Sequence, residues 1–288
     1  MKVNRLKEEC IFCLVNRFGK AYAENATEKE KIEYLQGVLK IISKADFSES
    51  APALVEKISA LQKKIWGKAD DYTEAKKHFN SLLLNMEEEI EKRIAESENP
   101  IEEAVKYSMM GNYIDFGIVE NVKEDKLSEL IGTASDIKVS ENELKNLEED
   151  LRKAKNLVFL TDNCGEVVFD KVLLKEISKK YPDIKIDVIV RGGDVLNDVT
   201  IDDAKQVGLL EMFNVVKNGS KVPGTCLEKI NRKSKKLIDN ADVLISKGQG
   251  NFETMRHCEK NVYYIFMCKC EMFARDFGVP LYSGMLVN

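Results

Sequence analysis

Three short stretches of the chain carry side chains that could do chemistry. Thr161-Asp162-Asn163-Cys164-Gly165-Glu166 follows the apolar run "NLVFL". Asp198 closes "RGGDVLND", which follows the run "IDVIV". Lys247-Gly248-Gln249-Gly250-Asn251 follows "VLIS". Asp162, Asn163 and Asp198 offer hard oxygen donors, which suit Mg²⁺ or Mn²⁺. Two carboxylates neutralise such an ion, and an amide oxygen adds a ligand without further charge. Lys247, beside Gly248 on a glycine-rich turn, suits a phosphate oxygen. A divalent ion and a lysine together are equipment for polarising a phosphoryl group.

These residues need elements that bring them together, and the two halves of the chain supply different ones. From Met1 to about Arg152 the apolar residues recur at helical spacing. "EKEKIEYLQGVLKIISK" sets Ile32, Leu35, Val38, Leu39 and Ile42 on one stripe. "APALVEKISALQKKIW" has Pro52 in a first-turn position. One long helix is expected from about Tyr72 to Glu96, and Asn99-Pro100 reads as the cap and first residue of the next. From Asn156 onward the pattern changes to short runs rich in Val and Ile: "NLVFL", "IKIDVIV", "EMFNVV", "ADVLIS" and "VYYIFM". Helical segments separate most of them, which is the pattern of an α/β sheet buried on both faces. Ligands bind such sheets beyond the carboxyl ends of the strands, and that is where all three polar stretches fall. The expected division is a helical domain over residues 1–152 and an α/β domain over 153–288, packed against each other.

Composition narrows the function classes. The chain has 288 residues, 44% hydrophobic and 32% charged, with a net charge of −5. That balance gives no reason to expect a nucleic acid or an anionic membrane surface as partner. No apolar run has the length of a membrane span, and the N-terminus lacks the pattern of a signal peptide. Seven cysteines without a small disulfide framework fit reduced thiols, and hence a cytoplasmic setting. The two histidines, His78 and His257, have no metal-ligand spacing, which argues against a His-based zinc enzyme. "RGGD" and "KGQGN" lack the phosphate-loop and dinucleotide fingerprints. Cys10 and Cys13 form a CxxC on a helical pattern. Two buried helical cysteines are expected, with a redox pair or a soft-metal site as the functional alternative. Cys164 reads as a small packing residue.

The motifs "GNYIDFG", "FLTDNCGEVVFD", "VIVRGGDVLNDVT", "DDAKQVGLL", "NGSKVPGT", "LISKGQGNFET" and "KCEMFARDFGV" occur in an order that resembles the damage-control phosphatase family. The early CxxC resembles its stand-alone prokaryotic branch. The resemblance implies a Rossmann-like α/β domain, with the helical domain packed over the strand carboxyl ends. It implies a phosphatase dependent on a divalent ion (Mn²⁺, Mg²⁺, Co²⁺ or Ni²⁺) and acting on phosphorylated small metabolites, damaged or surplus. Sugar phosphates and phosphopantetheine- or nucleotide-related compounds are candidate substrates. Residue by residue, Asp162, Asn163 and Asp198 match the family's metal ligands, and Lys247, with Gly248, its phosphate contact. Glu166 is expected to support metal or substrate, and Asn112 and Asp115 to reach the pocket from the helical domain. One departure falls at "GGDVLNDVT", where the family often has a proline and this chain has Asp194 in the turn. Two other readings remain: a non-catalytic nucleotide- or cofactor-binding protein, and a SAM-dependent carboxyl methyltransferase. The residues leave both water and a strand-end aspartate open as the nucleophile. They specify no oligomeric state.

Overall fold

The computed structural model describes residues 5–67, 72–113 and 131–288. Asp115 therefore lies outside the described residues. Six helices open the chain: α1 (Glu8–Phe18), α2 (Glu28–Ser43), α3 (Ala51–Trp66), α4 (Thr73–Leu84), α5 (Glu87–Glu96) and α6 (Pro100–Tyr113). The sequence pattern explains their ends. Thr27 and Glu30 form a reciprocal capping box at α2, and Pro52 sits in the first turn of α3. The Asn99 side chain accepts the Glu102 N–H at 3.4 Å, as its position before Pro100 predicts. The single helix expected over 72–96 is two. The Asn85 N–H turns back to Ser81 O and the Met86 N–H to Leu83 O, tightening the last turn and breaking the chain direction between α4 and α5.

After a short 3₁₀ turn, α7 (Glu141–Lys153) leads into the sheet. The remaining elements are β1 (Asn156–Leu160), α8 (Glu166–Lys180), β2 (Lys185–Val190), α9 (Ile201–Gln206), α10 (Leu209–Met212), β3 (Asn214–Lys217), α11 (Arg232–Asn240), β4 (Val243–Lys247), α12 (Gln249–Met255), β5 (Val262–Met267), α13 (Glu271–Phe277) and β6 (Gly284–Val287). The strand order is β3-β2-β1-β4-β5-β6. All pairs are parallel except β5 with β6. This is the doubly wound, Rossmann-like order, and its direction of winding reverses between β1 and β4. The five strands expected from the Val/Ile runs are present. The short antiparallel β6, with one glycine in four residues, had too weak a pattern to be anticipated.

β1 shows why these runs are continuous rather than alternating. Leu157 and Phe159 enter one apolar cluster, Val158 and Leu160 the other. The first cluster carries Phe79, Leu83, Ile90, Ile94, Val105 and Leu147 together with strand residues, so α4 to α7 share their core with the sheet. α1 to α3 hold a separate cluster around Tyr34, Val38, Leu54 and Ile58. No helix among the described residues is long and apolar enough to cross a membrane.

Candidate active site

The loops after β1 and β2 are zipped together beyond the sheet. Thr161 N–H continues the β1–β2 ladder to Ile189 O at 3.1 Å. Asn163 and Asp198 then form an isolated antiparallel bridge, with Val199 N–H to Asp162 O at 2.8 Å and Cys164 N–H to Asn197 O at 2.9 Å. These backbone bonds bring Asp162, Asn163 and Asp198 to one place. Leu196, with φ 46, turns the second loop and packs on the α1–α3 cluster. That is an uncommon conformation for a branched residue, held here by its surroundings. Gly165, with φ 79, turns the first loop into α8, and its N–H donates to the Asn80 side chain at 2.7 Å.

Gly248 follows β4, across the point where the winding reverses. A Cβ at this position would lie 1.9 Å from Asp162 Oδ2, and its φ is +80°. Only glycine lets the β4 turn pass this close to the carboxylate.

Arg191, at the end of β2, holds the two aspartates. Its Nε donates to Asp198 Oδ2 at 2.5 Å, and its Nη2 to Asp162 Oδ1 at 3.3 Å. Its Nη1 donates to Oδ1 of the Asn251 side chain at 3.2 Å. Asn251 in turn donates to Thr161 O at 3.1 Å and Lys247 O at 2.7 Å, clamping the ends of β1 and β4. Arg191 is 1% exposed, so the guanidinium is a fixed part of the site floor.

The other side of Asp162 meets the helical layer. Asp162 Oδ2 accepts from the amides of Asn112 at 3.2 Å and Asn163 at 2.8 Å. Both amides also donate to Glu166 Oε2, at 3.0 Å each. The side-chain Oδ1 of Asn112 accepts the Met267 N–H at 3.0 Å, which fixes α6 to the end of β5. Glu166 Oε1 accepts from Lys247 Nζ at 2.5 Å, and the same ammonium donates to Asp170 Oδ1 at 2.7 Å and Ser108 O at 2.9 Å.

Burial without enough positive charge shapes the electrostatics. Desolvation raises the Asp162 pKa well above the carboxylate range, and the charges on Asp198 and Glu166 raise it further. Asp198 is also raised, chiefly by desolvation, against the opposing pull of Arg191. Burial raises Asp170 to about 7, with Lys247 opposing. Burial works against the charge on Lys247, but Asp170 and Glu166 outweigh it and the ammonium is held more firmly than usual. Cys164, 1% exposed, has its thiol pushed up by burial, in keeping with packing rather than nucleophilic attack.

A cleft of about 540 Å³ opens over Asp162, Asn163 and Asp198. Its far wall is helical, with Cys10 and Cys13 from α1 and Pro52 and Val55 from α3. An ion pair between Glu9 and Arg275, at 2.7 Å, ties α1 to α13 across one end. Cys10 is half-buried and Cys13 exposed, so the expectation of two buried helical cysteines gives way to a thiol-bearing cleft wall.

The structure thus gathers Asp162, Asn163, Asp198, Glu166, Asn112 and Gly248. It turns Lys247 away from the cleft. The side chain is 0% exposed, and its three N–H donors have three internal acceptors, so none remains for a phosphate. Lys269, after β5, lines the cleft instead, and its charge acts on Asp162. Arg191 and Asp170 had no role in the sequence reading. A strand-end position marked Arg191, but which carboxylates its fork would join depends on the pairing of two loops. Asp170 is four residues after Glu166 on α8, and that spacing was its only signal.

A mostly parallel sheet with carboxylates and amides at its winding reversal, under a cleft walled by helices, is an α/β architecture with room for a small ligand beyond the strand ends. The profile of the damage-control phosphatase ARMT1-like domain matches residues 6–285, and the chain belongs to that family. The damage-control phosphatase PH1575 of Pyrococcus horikoshii is 28% identical, over 98% of this chain and 97% of that protein. A damage-control phosphatase of Archaeoglobus fulgidus is also 28% identical, over 97% and 96%. An uncharacterised protein of Methanocaldococcus jannaschii is 29% identical, over 99% and 95%. The crystal structure of the P. horikoshii protein, described as a DUF89 family protein, superposes with a TM-score of 0.83 at 26% identity, covering 98% of both chains. The family supports a phosphatase role.

Proposed function

We propose that the chain is a divalent-metal-dependent phosphatase that hydrolyses phosphate monoesters of small metabolites, damaged or surplus. The observation that carries this reading is the convergence of Asp162, Asn163 and Asp198 beneath one cleft, with buried carboxylates outnumbering buried cations. Among the described residues the ion pairs of Asp162, Glu166, Asp170 and Asp198 are with Arg191 and Lys247, and the charges of Lys269 and Lys76 reach Asp162 and Asp198 from farther away.

The donor set fits a hard cation. Among the described residues no three His, Cys, Asp or Glu side chains are grouped to hold a metal, and the set proposed here is two carboxylates and an amide. The Asn163 NH₂ is committed to Asp162 and Glu166, which leaves its carbonyl oxygen as the donor on offer. Mg²⁺, Mn²⁺, Co²⁺ and Ni²⁺ all accept oxygen ligands of this kind. When bound, such an ion neutralises phosphoryl charge and lowers the pKa of a water molecule toward neutrality.

The chain's own residues do the rest. Arg191 fixes both carboxylates, Glu166 fixes the Asn163 amide, and Lys269 offers positive charge toward the phosphoryl group. The remaining cleft accommodates the alcohol portion of the ester. Attack by water is favoured over attack by an aspartate, because Arg191 and the two amides already engage both oxygens of Asp162 and Arg191 engages Oδ2 of Asp198.

The test is a panel of phosphomonoesters assayed with each of the four ions. Phosphate release should require the ion, vanish with a chelator, and fall by about 10²–10³-fold in Asp198→Asn. A single turnover in ¹⁸O-water should label phosphate directly. Parent-rate hydrolysis by Asp198→Asn across a full metal titration would remove the metal assignment. First appearance of the label in an enzyme aspartate would remove the water mechanism.

A further inference from the structure

α6 and α8 pack unusually closely. A Cβ on Gly111 would stand 2.7 Å from the Phe169 ring and 3.0 Å from Glu166 Cγ. Two polar rungs cross this otherwise apolar seam. Ser108 donates to Asp170 at 2.8 Å, and Asn112 donates to Glu166 at 3.0 Å. Each helix contributes residues four apart, so the rungs lie one turn from each other. Lys247 enters from the end of β4 and joins them, through Asp170, Glu166 and Ser108 O. The upper rung touches Asp162 and Asn163, while the lower one touches nothing in the cleft.

We propose that Asp170 is a positioning residue that acts through Lys247 and Glu166 to fix the Asn163 amide for the divalent cation. This rests on the metal-dependent reading above. The Lys247 ammonium has three donors and three acceptors, one of them on Asp170, and so has one orientation. That orientation anchors Glu166 Oε1 and leaves Oε2 to the amides of Asn112 and Asn163. The Asn163 NH₂ then has both its acceptors, Glu166 and Asp162, and its carbonyl oxygen is left for the cleft. Without the Asp170 charge, Lys247 keeps a single carboxylate partner, can re-aim, and carries Glu166 with it.

Stability alone does not call for this arrangement. Buried ion pairs can often be exchanged for apolar residues of similar volume at no loss of stability. That gives the test its two variants. Asp170→Asn keeps the shape and removes the charge. Asp170→Leu with Lys247→Met replaces the buried pair by apolar groups. Mn²⁺ binding to the folded, substrate-free protein is measured by calorimetry and by loss of the free-ion EPR signal, beside the thermal midpoint.

Asp170→Asn should raise the Mn²⁺ Kd by about 10–100-fold, the range found when outer-shell partners of metal ligands are removed. The double variant leaves Glu166 with the Asn112 and Asn163 amides but no cation, so it should melt below the parent and, while folded, bind Mn²⁺ at least as weakly as Asp170→Asn. A purely structural role would lower the midpoint and leave the Kd of the folded protein unchanged. Parent-like Mn²⁺ affinity in either folded variant overturns the inference while leaving the functional reading intact. A parent protein that takes up no divalent ion overturns both.

Discussion

Two buried cations flank the end of β1, and they serve opposite sides of it. Arg191, after β2, lies under the cleft and spreads its fork over Asp162, Asp198 and Asn251. Lys247, at the end of β4, points into the seam between α6 and α8 and serves Glu166, Asp170 and Ser108. A planar guanidinium can bridge two loops at fixed spacing, whereas an ammonium is a compact charge that must be surrounded. The carboxylates held by Arg191 border the cleft. Those held by Lys247 are enclosed. A basic residue at a strand end is therefore not by itself a substrate contact; what decides is whether its donors are spent below the rim.

The sharpest way to break this comparison is to remove each cation in turn. Arg191→Met and Lys247→Met each leave buried carboxylates without their partner, at a cost of about 3–5 kcal/mol. Saturating Mn²⁺ should restore much of the thermal midpoint in Arg191→Met, because the ion neutralises Asp162 and Asp198. It should restore little in Lys247→Met, because Glu166 and Asp170 do not face the cleft. Equal rescue of the two variants would mean that the sites are not separated in this way. Next in size is Gly248→Ala. The added methyl would meet Asp162 Oδ2, and relieving such overpacking costs about 1–3 kcal/mol. Asp162 should be displaced, with Mn²⁺ binding and activity falling together. A variant with parent-like melting and Mn²⁺ affinity would show that the turn can yield without moving the carboxylate.

The same comparison predicts a pH dependence whose sign differs from that of ordinary surface ion pairs. Asp170 sits at about 7 in the folded chain and near 3.9 when unfolded, and Asp162 and Asp198 are displaced upward as well. Between these limits the folded protein binds more protons than the unfolded one, so metal-free stability falls as pH rises, until Asp170 is ionised near 7. Each such group contributes a slope of about 1.4 kcal/mol per pH unit. Denaturant melts in chelator from pH 5.5 to 7 should show this decline. Saturating Mn²⁺ should flatten it, since the ion favours the ionised forms of Asp162 and Asp198. Metal-free stability that rises over this interval would contradict the excess of buried negative charge.

The sheet was legible because its strands are buried on both faces, which leaves Val- and Ile-rich runs that no surface element would tolerate. Asp162 and Asn163 were legible as a place for the same reason, since they follow such a run at its carboxyl end, whereas Asp198 stands several residues beyond β2 and is brought back by the pairing of the two loops. What local pattern does not encode is direction and partnership. Lys247 ends a strand and Lys269 follows one, yet the first is enclosed by α6 and α8 and the second lines the cleft, and that choice is made by helices far away in the chain. The break at Asn85 was hidden because an apolar stripe continues through it. Asp170 looked like one more polar residue on a helix that turns out to be buried almost all round.

The smallest predicted effect concerns the thiols on the cleft's helical wall. Burial raises the pKa of both Cys10 and Cys13, so near neutral pH they stand mostly as thiols, poor as nucleophiles and as ligands. If the chemistry belongs to the charges at the end of β1, these residues meet only the alcohol portion of the substrate. Cys13→Ser, on the more exposed of the two, should then change stability by less than about 0.5 kcal/mol and leave kcat within about twofold, any change falling on KM, since an interaction with the alcohol portion that is equal in ground and transition states affects binding alone. Progress curves for Cys13→Ser and the parent on one phosphomonoester at saturating Mn²⁺ check this directly. A loss of kcat comparable to that of Asp198→Asn would move part of the catalytic apparatus from the sheet to α1 and undo the separation between the rim that reacts and the wall that only receives.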